Sequence, residues 1–445
     1  LGIFRAGVLL NFVSNPVLMG FVNAAAIIIG LSQLPTLMGI PEAQSTHFLF
    51  EISQLLIHFS DLHLPSLMFG ITAIIFLIGF KRYAPKVPGV LVTVVILTLA
   101  SYWLGYAGLG GAVIGAIPQG LPSLSLPPFD WQATVALLPA AFVIALVSFV
   151  EAMSSSKVIS IKTRQPWDEN KELIGQGLAK IAASFSQSMP VSGSFSRSAL
   201  NLASDARTPL ASIISAVSVL LTLLFFTSLL HHLPKPVLAA IIMMAVLNLI
   251  DFGSIKHAWM ASKDDGIAAI TTFIATLAFA PNIQNGILTG ILLSLSLLLI
   301  RLMRPRIAVL GQHSDTTLRD AVLHKLPPLH PKLGAIRFDG ALRFVNVSYF
   351  ENAILKLERE NPKMTRILVQ CSGINQIDAS GIKMLRNLIE RLETNGIQLA
   401  FSSVKHQVSY VMFTTGLLSQ IGNENIFATD RDAVAELCKK LEQET

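Results

Sequence analysis

Ser192, Ser194, Ser196 and Ser198 surround one cation, Arg197, in a short polar stretch that interrupts otherwise apolar sequence. An arginine at bilayer depth costs roughly 2.5–3.5 kcal/mol on insertion scales, so it belongs in a watery cavity or against a partner. Pro190 suits the first turn of a helix, where a missing N–H is no loss. A helix beginning near Pro190, tolerated by Gly193, would aim free N–H groups and the positive end of its dipole at whatever fills the cavity. Arg197, the hydroxyls of Ser194 and Ser196, and the amides of Phe195 and Ser196 together have the chemistry of an anion site. Two plainer readings stay open. Arg197 can pair with Glu151 or with helix-end carbonyls, and small hydroxyl residues also serve helix packing in membranes.

Glu151 is the second candidate. It sits late in an apolar run, ahead of Lys162 and Arg164, and a carboxylate inside a membrane segment is a functional candidate by default. Ser155, one turn later, shares its helix face. Pairing with Lys157 at the membrane edge is the alternative. His231 and His232 are adjacent and cannot share a helix face, so they do not form a metal pair.

These residues must be positioned by a membrane domain. The 445-residue chain is 52% hydrophobic and only 13% charged, with a mean hydropathy of +0.60. Soluble domains carry about a quarter charged residues, so the composition is that of an integral membrane protein. Apolar segments long enough to cross the hydrocarbon core recur at 16–38, 64–80, 87–109, 133–161, 209–230, 236–250, 266–280 and 287–302. Segment 173–189 is more polar and needs shielding, and 191–203 is too short to cross alone. The expected domain is therefore a helical bundle with one half-length element.

Loop charge orients it. Taking the spans in alternation, Lys81, Arg82, Lys157, Arg164, Arg207, Lys263 and Arg301 fall on one side, and Glu42, Glu51, Asp61 and Asp130 on the other, where Lys235 is the one basic exception. The basic side is cytoplasmic. The alternation requires segment 191–203 to return the chain to that side, and it places the tail there too.

From Arg306 onward the composition is that of a soluble domain, so we divide the chain into a transmembrane domain at 1–305 and a cytoplasmic domain at 306–445. Strands are expected at 333–338, 341–345, 366–371 and 397–402. Helices are expected at 349–360, 378–394, 407–415 and 431–441. Asp378 caps the strongest helix, whose apolar face is Ile382, Leu385, Leu388, Ile389 and Leu392. Both cysteines, Cys371 and Cys438, lie in this α/β tail and are too few for a disulfide framework.

The order of segments resembles the sulfate permease (SulP) family of anion transporters. The membrane part carries Pro190-Val-Ser-Gly-Ser-Phe-Ser-Arg-Ser198, and the tail, which resembles that family's STAS domain, carries Ile377-Asp-Ala-Ser-Gly381. Phe12-Val-Ser-Asn-Pro-Val-Leu-Met-Gly20 is similar to the lead into the family's fifth span, and Phe149-Val-Glu-Ala-Met153 and Trp167-Asp-Glu-Asn-Lys-Glu-Leu173 also resemble family segments. The resemblance implies a 7+7 inverted-repeat transporter fold with half-helices that meet at the substrate. It places the start of this chain at the end of the fourth span, with the first span and the partner half-helix missing. It further implies that Glu151 couples transport to a proton or a cation, and that Ser380 aligns with a serine phosphorylated in related STAS proteins. A plain helix cap is the alternative at Ser380.

The expected protein is a multi-pass transporter of the inner membrane, a homodimer embedded in lipid. It moves sulfate, bicarbonate or a C4-dicarboxylate by proton or sodium symport or by exchange. Its cytoplasmic STAS domain is a regulatory module open to a protein partner. No resident cofactor, metal or nucleic acid is expected. The sequence contains no nucleophile elbow, P-loop or zinc-ligand pattern, which argues against an enzyme. A membrane sensor signalling through its tail, and an anion channel, are the rival classes.

Overall fold

A computed structural model describes residues 2–5, 13–40, 61–85, 87–115, 123–128, 130–194, 197–198, 201–202, 206–225, 227–247 and 249–443. Within its helices, the side chains of 150–151, 153–155, 157–158, 161–162, 227–229 and 284 lie outside the description. The chain forms two compact units, Leu1–Leu295 and Ser296–Thr445.

The first unit is helical. Its helices are α1 (Asn15–Ser32), α2 (Leu34–Met38), α3 (Leu64–Tyr83), α4 (Gly89–Trp103), α5 (Trp131–Thr163), α6 (Glu169–Phe185), α7 (Leu210–Phe225), α8 (Lys235–Leu247), α9 (Phe252–Ala261), α10 (Lys263–Phe279) and α11 (Ile283–Met303), the last of which runs into the second unit. Among the described residues, Asn15–Met38, Leu64–Tyr83, Trp131–Phe149, Lys235–Ala261 and Asn285–Met303 are long and apolar enough to cross a bilayer, and Gly89–Trp103 and Leu210–Phe225 are shorter apolar helices.

Several helices end where local chemistry stops them rather than where the apolar run does. The segment expected at 87–109 ends as a helix at Trp103, because Gly105 turns left-handed (φ 62°) and a 3-10 turn, Tyr106–Leu109, follows. That expected at 209–230 gives way to a 3-10 turn at Thr227–His232. The expected segment 266–280 begins instead at Lys263, with Asp264 and Asp265 in a first turn that favours negative charge. After α8 the chain breaks and restarts as α9, where Asp251 accepts the Ser254 N–H at 3.2 Å.

Helices α1, α10 and α11 pack through small residues, as membrane helices do when dispersion replaces the hydrophobic effect. A Cβ on Gly20 would stand 2.2 Å from the Ala269 carbonyl oxygen, and one on Gly290 would stand 2.0 Å from the Thr272 hydroxyl. Thr272 and Thr276 are fully buried and satisfy their hydroxyls on the carbonyls of Ala268 (2.6 Å) and Thr272 (2.7 Å).

Two buried polar groups tie this unit across long sequence distances. Asn23, in the middle of α1 and 1% exposed, accepts the Asp251 N–H at 2.7 Å and donates to the Asp251 carbonyl at 3.2 Å. At the far end of α2, hydrogen bonds link three side chains. The carbonyl of Leu109 can only accept, so His63 Nε2 donates to it at 3.0 Å. His63 Nδ1 shares a hydrogen bond with the Ser66 hydroxyl at 2.8 Å, and Ser66 shares one with the Tyr106 hydroxyl at 2.7 Å.

The second unit is an α/β sandwich around a six-stranded sheet of order β2-β1-β3-β4-β5-β6. The strands are β1 (Arg306–Gln312), β2 (Leu318–Asp320), β3 (Leu333–Asp339), β4 (Arg366–Gln370), β5 (Gln398–Ser402) and β6 (Ile426–Phe427). β1 runs antiparallel to β2 and β3, and β3 to β6 are parallel. The alternation of side chains sorts the core. Ile336, Phe338, Ile367, Val369, Leu399 and Phe401 face the helices α13 (Val347–Glu360), α14 (Ala379–Thr394), α15 (His406–Thr414) and α16 (Leu417–Ile421), whereas Ala335, Leu368 and Ala400 face α17 (Asp430–Gln443); a short helix, α12 (Ala321–His324), follows β2.

The strand expected at 341–345 does not form. Leu342 makes one isolated bridge to Ile377, after which the Phe344 N–H goes to the Asp378 carboxylate at 2.8 Å and the Arg343 N–H to the Asn346 side chain at 2.9 Å. Side chains have taken the donors that a ladder would need. The short strands β1, β2 and β6 were not anticipated.

Candidate functional site

The site is built on α5. Asp130 opens this helix by accepting the Gln132 N–H at 3.0 Å, and Arg164 closes it in a left-handed conformation (φ 56°). Midway, buried Leu146 and Phe149 pack with Val13 ahead of α1, and Leu173 of α6 and Ile291 of α11 pack against them. The helix is thus gripped by three neighbours just before it reaches Glu151.

The polar stretch after α6 meets α5 at that level. Residues 188–194 are non-helical. Ser192 donates to the Ser148 carbonyl at 3.4 Å, and Gly193 lies so close that a Cβ on it would stand 2.9 Å from Ala152 Cβ and 3.1 Å from Ala152 Cα. At Ser194 the chain turns helical. Its carbonyl accepts the Ser198 N–H at 2.9 Å, an α-helical bond, and its hydroxyl accepts the Arg197 N–H at 3.4 Å. Ser194 is therefore the capping residue ahead of the helical Arg197 and Ser198.

This corrects the expected start. The helix does not open near Pro190 but four residues later. Pro190 only permits a helix, whereas Ser194 supplies a side-chain acceptor for a first-turn amide, and Ser192 and Gly193 lie against α5 in a non-helical stretch. Gly193 is a close-approach residue rather than one that tolerates helix.

Ser194 is half-buried and the Arg197 side chain is exposed. Phe195 and Ser196 lie outside the described residues, as do the side chains of Glu151 and Ser155, whose backbone belongs to α5. The backbone brings Ser192, Gly193 and Ser194 to the stretch of α5 from Ser148 to Ala152, the sequence neighbour of Glu151. The reading from sequence missed the Ser192–Ser148 bond and the Gly193–Ala152 contact. The Ser-Gly-Ser spacing was visible, but nothing in it named the partner.

In the tail, Asp378 caps α14 by accepting the Gly381 N–H at 2.9 Å. Ser380 is exposed in the first turn of that helix, two residues after the cap. Cys371 is fully buried, and burial, reinforced by the Asp430 charge, pushes its thiol up to about 12, so it is no nucleophile.

Apolar helices of membrane-crossing length, a short helix preceded by a non-helical stretch pressed against its neighbour, and an appended α/β sandwich define a multi-pass membrane protein with a STAS-type tail. The sulfate permease family profile matches residues 1–272 and the STAS domain profile residues 327–433. The chain belongs to the sulfate permease family. It is 31% identical to the probable sulfate transporter 4.2 of Arabidopsis thaliana, over 98% of this chain and 66% of that protein. It is 29% identical to the chloroplastic sulfate transporter 4.1 of the same plant, over 98% of this chain and 65% of that protein. It is 27% identical to the putative sulfate transporter YvdB of Bacillus subtilis, over 96% of this chain and 79% of that protein. The chain thus spans just under two thirds of the length of these two plant relatives.

Among solved structures, the murine Solute Carrier 26 family member A9 anion transporter, in its inward-facing state, superposes with a TM-score of 0.85 at 22% identity, covering 95% of this chain and 70% of that one. The transmembrane domain of the cyanobacterial bicarbonate transporter BicA gives 0.52 at 24% identity, covering 66% of this chain and 71% of that one. Both are likenesses of fold.

Proposed function

We propose that this chain carries a small oxyanion, sulfate or one of its kind, across the membrane by secondary active transport. The observation that supports the reading best is the Gly193–Ala152 contact. It sets the mouth of a helix, with Ser194 at its cap and Arg197 in its first turn, beside the segment of α5 that contains Glu151. The anion is held by the Arg197 cation, the hydroxyls of Ser194 and Ser196, and the amides of Phe195 and Ser196. Glu151, assisted by Ser155, is the coupling group and takes a proton or a sodium ion. An anion moving into a negative interior costs about 2.3 kcal/mol per charge per 100 mV, and a co-transported cation offsets that cost.

The protein resides in the inner membrane as a homodimer, with the tail on the cytoplasmic side that the lysines and arginines mark. The STAS domain regulates transport, through a cytoplasmic partner or through phosphate added at Ser380, where the first-turn amides of α14 favour negative charge. The names of the plant and Bacillus relatives favour sulfate over bicarbonate or a C4-dicarboxylate such as succinate.

Uptake of radiolabelled sulfate, bicarbonate and succinate into proteoliposomes under imposed pH or sodium gradients tests this reading. Sulfate should accumulate when a cation gradient is applied. Arg197→Gln should reduce uptake by about tenfold or more, since a hydrogen bond to a charged group is worth about 1.5–3 kcal/mol. Full uptake with unchanged affinity in that variant would remove the proposed site. Flux indifferent to both gradients would point to exchange or a channel, and no flux with ligand-dependent changes in the tail to a sensor.

A further inference from the structure

The end of α3 and the start of α4 enclose a cleft that plays no part in the anion site. It has a volume of about 290 Å³ and is lined by Leu77, Phe80 and Lys81 of α3, by Val87 and Val90, and by Ile241 and Met244 of α8. Its walls meet closely because α4 begins with Gly89, where a Cβ would stand 2.5 Å from Phe80 Cβ. From α3, one basic side chain, Lys81, stands at the rim of this apolar lining.

Its depth in the membrane follows from α3. This helix has 20 residues, about 30 Å of rise, which matches the hydrocarbon core. Lys81, Arg82 and Tyr83, in its last turn, therefore sit at the membrane–water interface. The Arg82 guanidinium lies 6.0 Å from the Tyr83 ring centroid, the pairing of basic and aromatic groups that anchors helix ends there. Leu77 and Phe80 lie a turn or less further in, at the level of the upper acyl chains. The flanking surfaces are apolar and open, with Val87 and Val90 41% and 51% exposed and Ile78 and Leu91 also exposed. The mouth of the cleft therefore faces hydrocarbon rather than water.

The geometry points to a binding site for an anionic phospholipid, with an acyl chain in the Leu77–Phe80–Val90–Met244 groove and the phosphate at Lys81. Basic groups between membrane helices at the interface are suited to anionic headgroups. A second feature fits the phosphate. α4 opens at Pro88 with no side-chain cap, so its first-turn amides are directed at the same end of the cleft. A neutral zwitterionic lipid would fill the groove equally well but gain less from the cation.

Native mass spectrometry of the purified full chain, with phosphatidylglycerol and phosphatidylcholine of identical acyl chains, tests the site. The wild type should retain phosphatidylglycerol preferentially. Lys81→Gln should lower its retention about fivefold and leave phosphatidylcholine unchanged, the effect of about 1 kcal/mol per basic residue at a membrane surface. Ala245→Phe, which fills the groove, should lower retention of both lipids, and Val90→Phe serves the same purpose if the first variant fails to fold. Lys235→Gln, away from the cleft, should change neither. The proposal is overturned if Lys81→Gln leaves the preference intact, if the groove-filling variants retain both lipids, or if inorganic phosphate displaces phosphatidylglycerol.

Discussion

Gly193 and Ala152 touch so closely that the space between them has no room for another methyl group: a Cβ on Gly193 would approach Ala152 Cβ to 2.9 Å. The obstructing atoms belong to the rigid face of α5, not to the tip of a flexible side chain. The contact sets the approach to α5 of the stretch that leads into the Ser194 cap and the Arg197 turn.

Gly193→Ala should therefore displace the helix mouth, at a cost of about 1–3 kcal/mol for overpacking, and anion uptake should fall strongly. Ala152→Gly in the same chain removes the opposing methyl and should restore much of the uptake. Uptake assays on both single variants and the double variant check this. If the second substitution does not rescue the first, the contact does not set the site.

Ser194 caps the helix and, in the proposed function, also donates to an anion; two substitutions separate these roles. Ser194→Ala loses the cap at a cost of about 0.5–2 kcal/mol, toward the low end because the capping bond is long, 3.4 Å. Ser194→Asp caps at least as well but places a carboxylate where the anion is to bind. The aspartate variant should match the wild type in thermal stability and lose most uptake, whereas the alanine variant should lose some of both. An aspartate variant with normal uptake would leave Ser194 as a cap alone.

Local features were legible in the sequence and long-range ones were not. Asp378 and the apolar stripe from Ile382 to Leu392 identify α14 because the cap and the 3.6-residue period lie within one short window. The polar stretch around Arg197 is likewise visible as an interruption of apolar sequence. The start of its helix is not, because residues 188–194 are non-helical and the surface Gly193 lies against belongs to α5, 41 positions earlier in the chain at Ala152. The segment 341–345 looks like a strand by alternation, but its donors are taken by Asp378 and Asn346, which a local pattern does not reveal. The end of α4 at Trp103 was hidden inside a continuous apolar run, with Gly105 the one available signal.

Asn23 shows the same limit from the stability side. An asparagine inside an apolar span demands a partner, but the partner, Asp251, lies 228 residues away. Asn23→Leu would strand both the N–H and the carbonyl of Asp251 where the chain enters α9. Each of these hydrogen bonds is worth about 0.5–1.5 kcal/mol, so the variant should melt at a lower temperature in detergent or lipid. Asn23→Asp keeps the acceptor for the Asp251 N–H but loses the donor to its carbonyl, and should fall between the two. Equal melting of wild type and the leucine variant would show that the pair contributes nothing.

The sheet edge of the tail should be acid-sensitive through Asp320. This carboxylate accepts the Leu323 and Val322 amides and the Arg306 guanidinium, the last at 2.7 Å, and these bonds hold its pKa below the ordinary value of 3.8, the Leu323 amide most. A group whose folded pKa is depressed contributes stability that is fully present above its unfolded value and is lost as pH falls through the folded one. Protection of β1 and β2 amides against hydrogen exchange should therefore be constant from neutral pH down to about pH 4 and weaken below it, after correction for the intrinsic exchange rate. Asp320→Asn cannot ionise, so it should start with lower protection at neutral pH and lose less of it on acidification. Arg306→Gln removes the guanidinium but leaves the Leu323 and Val322 amides, and should retain part of the pH dependence. If both variants follow the wild type throughout, the edge of the sheet is held by its backbone ladder and Asp320 has no part in it.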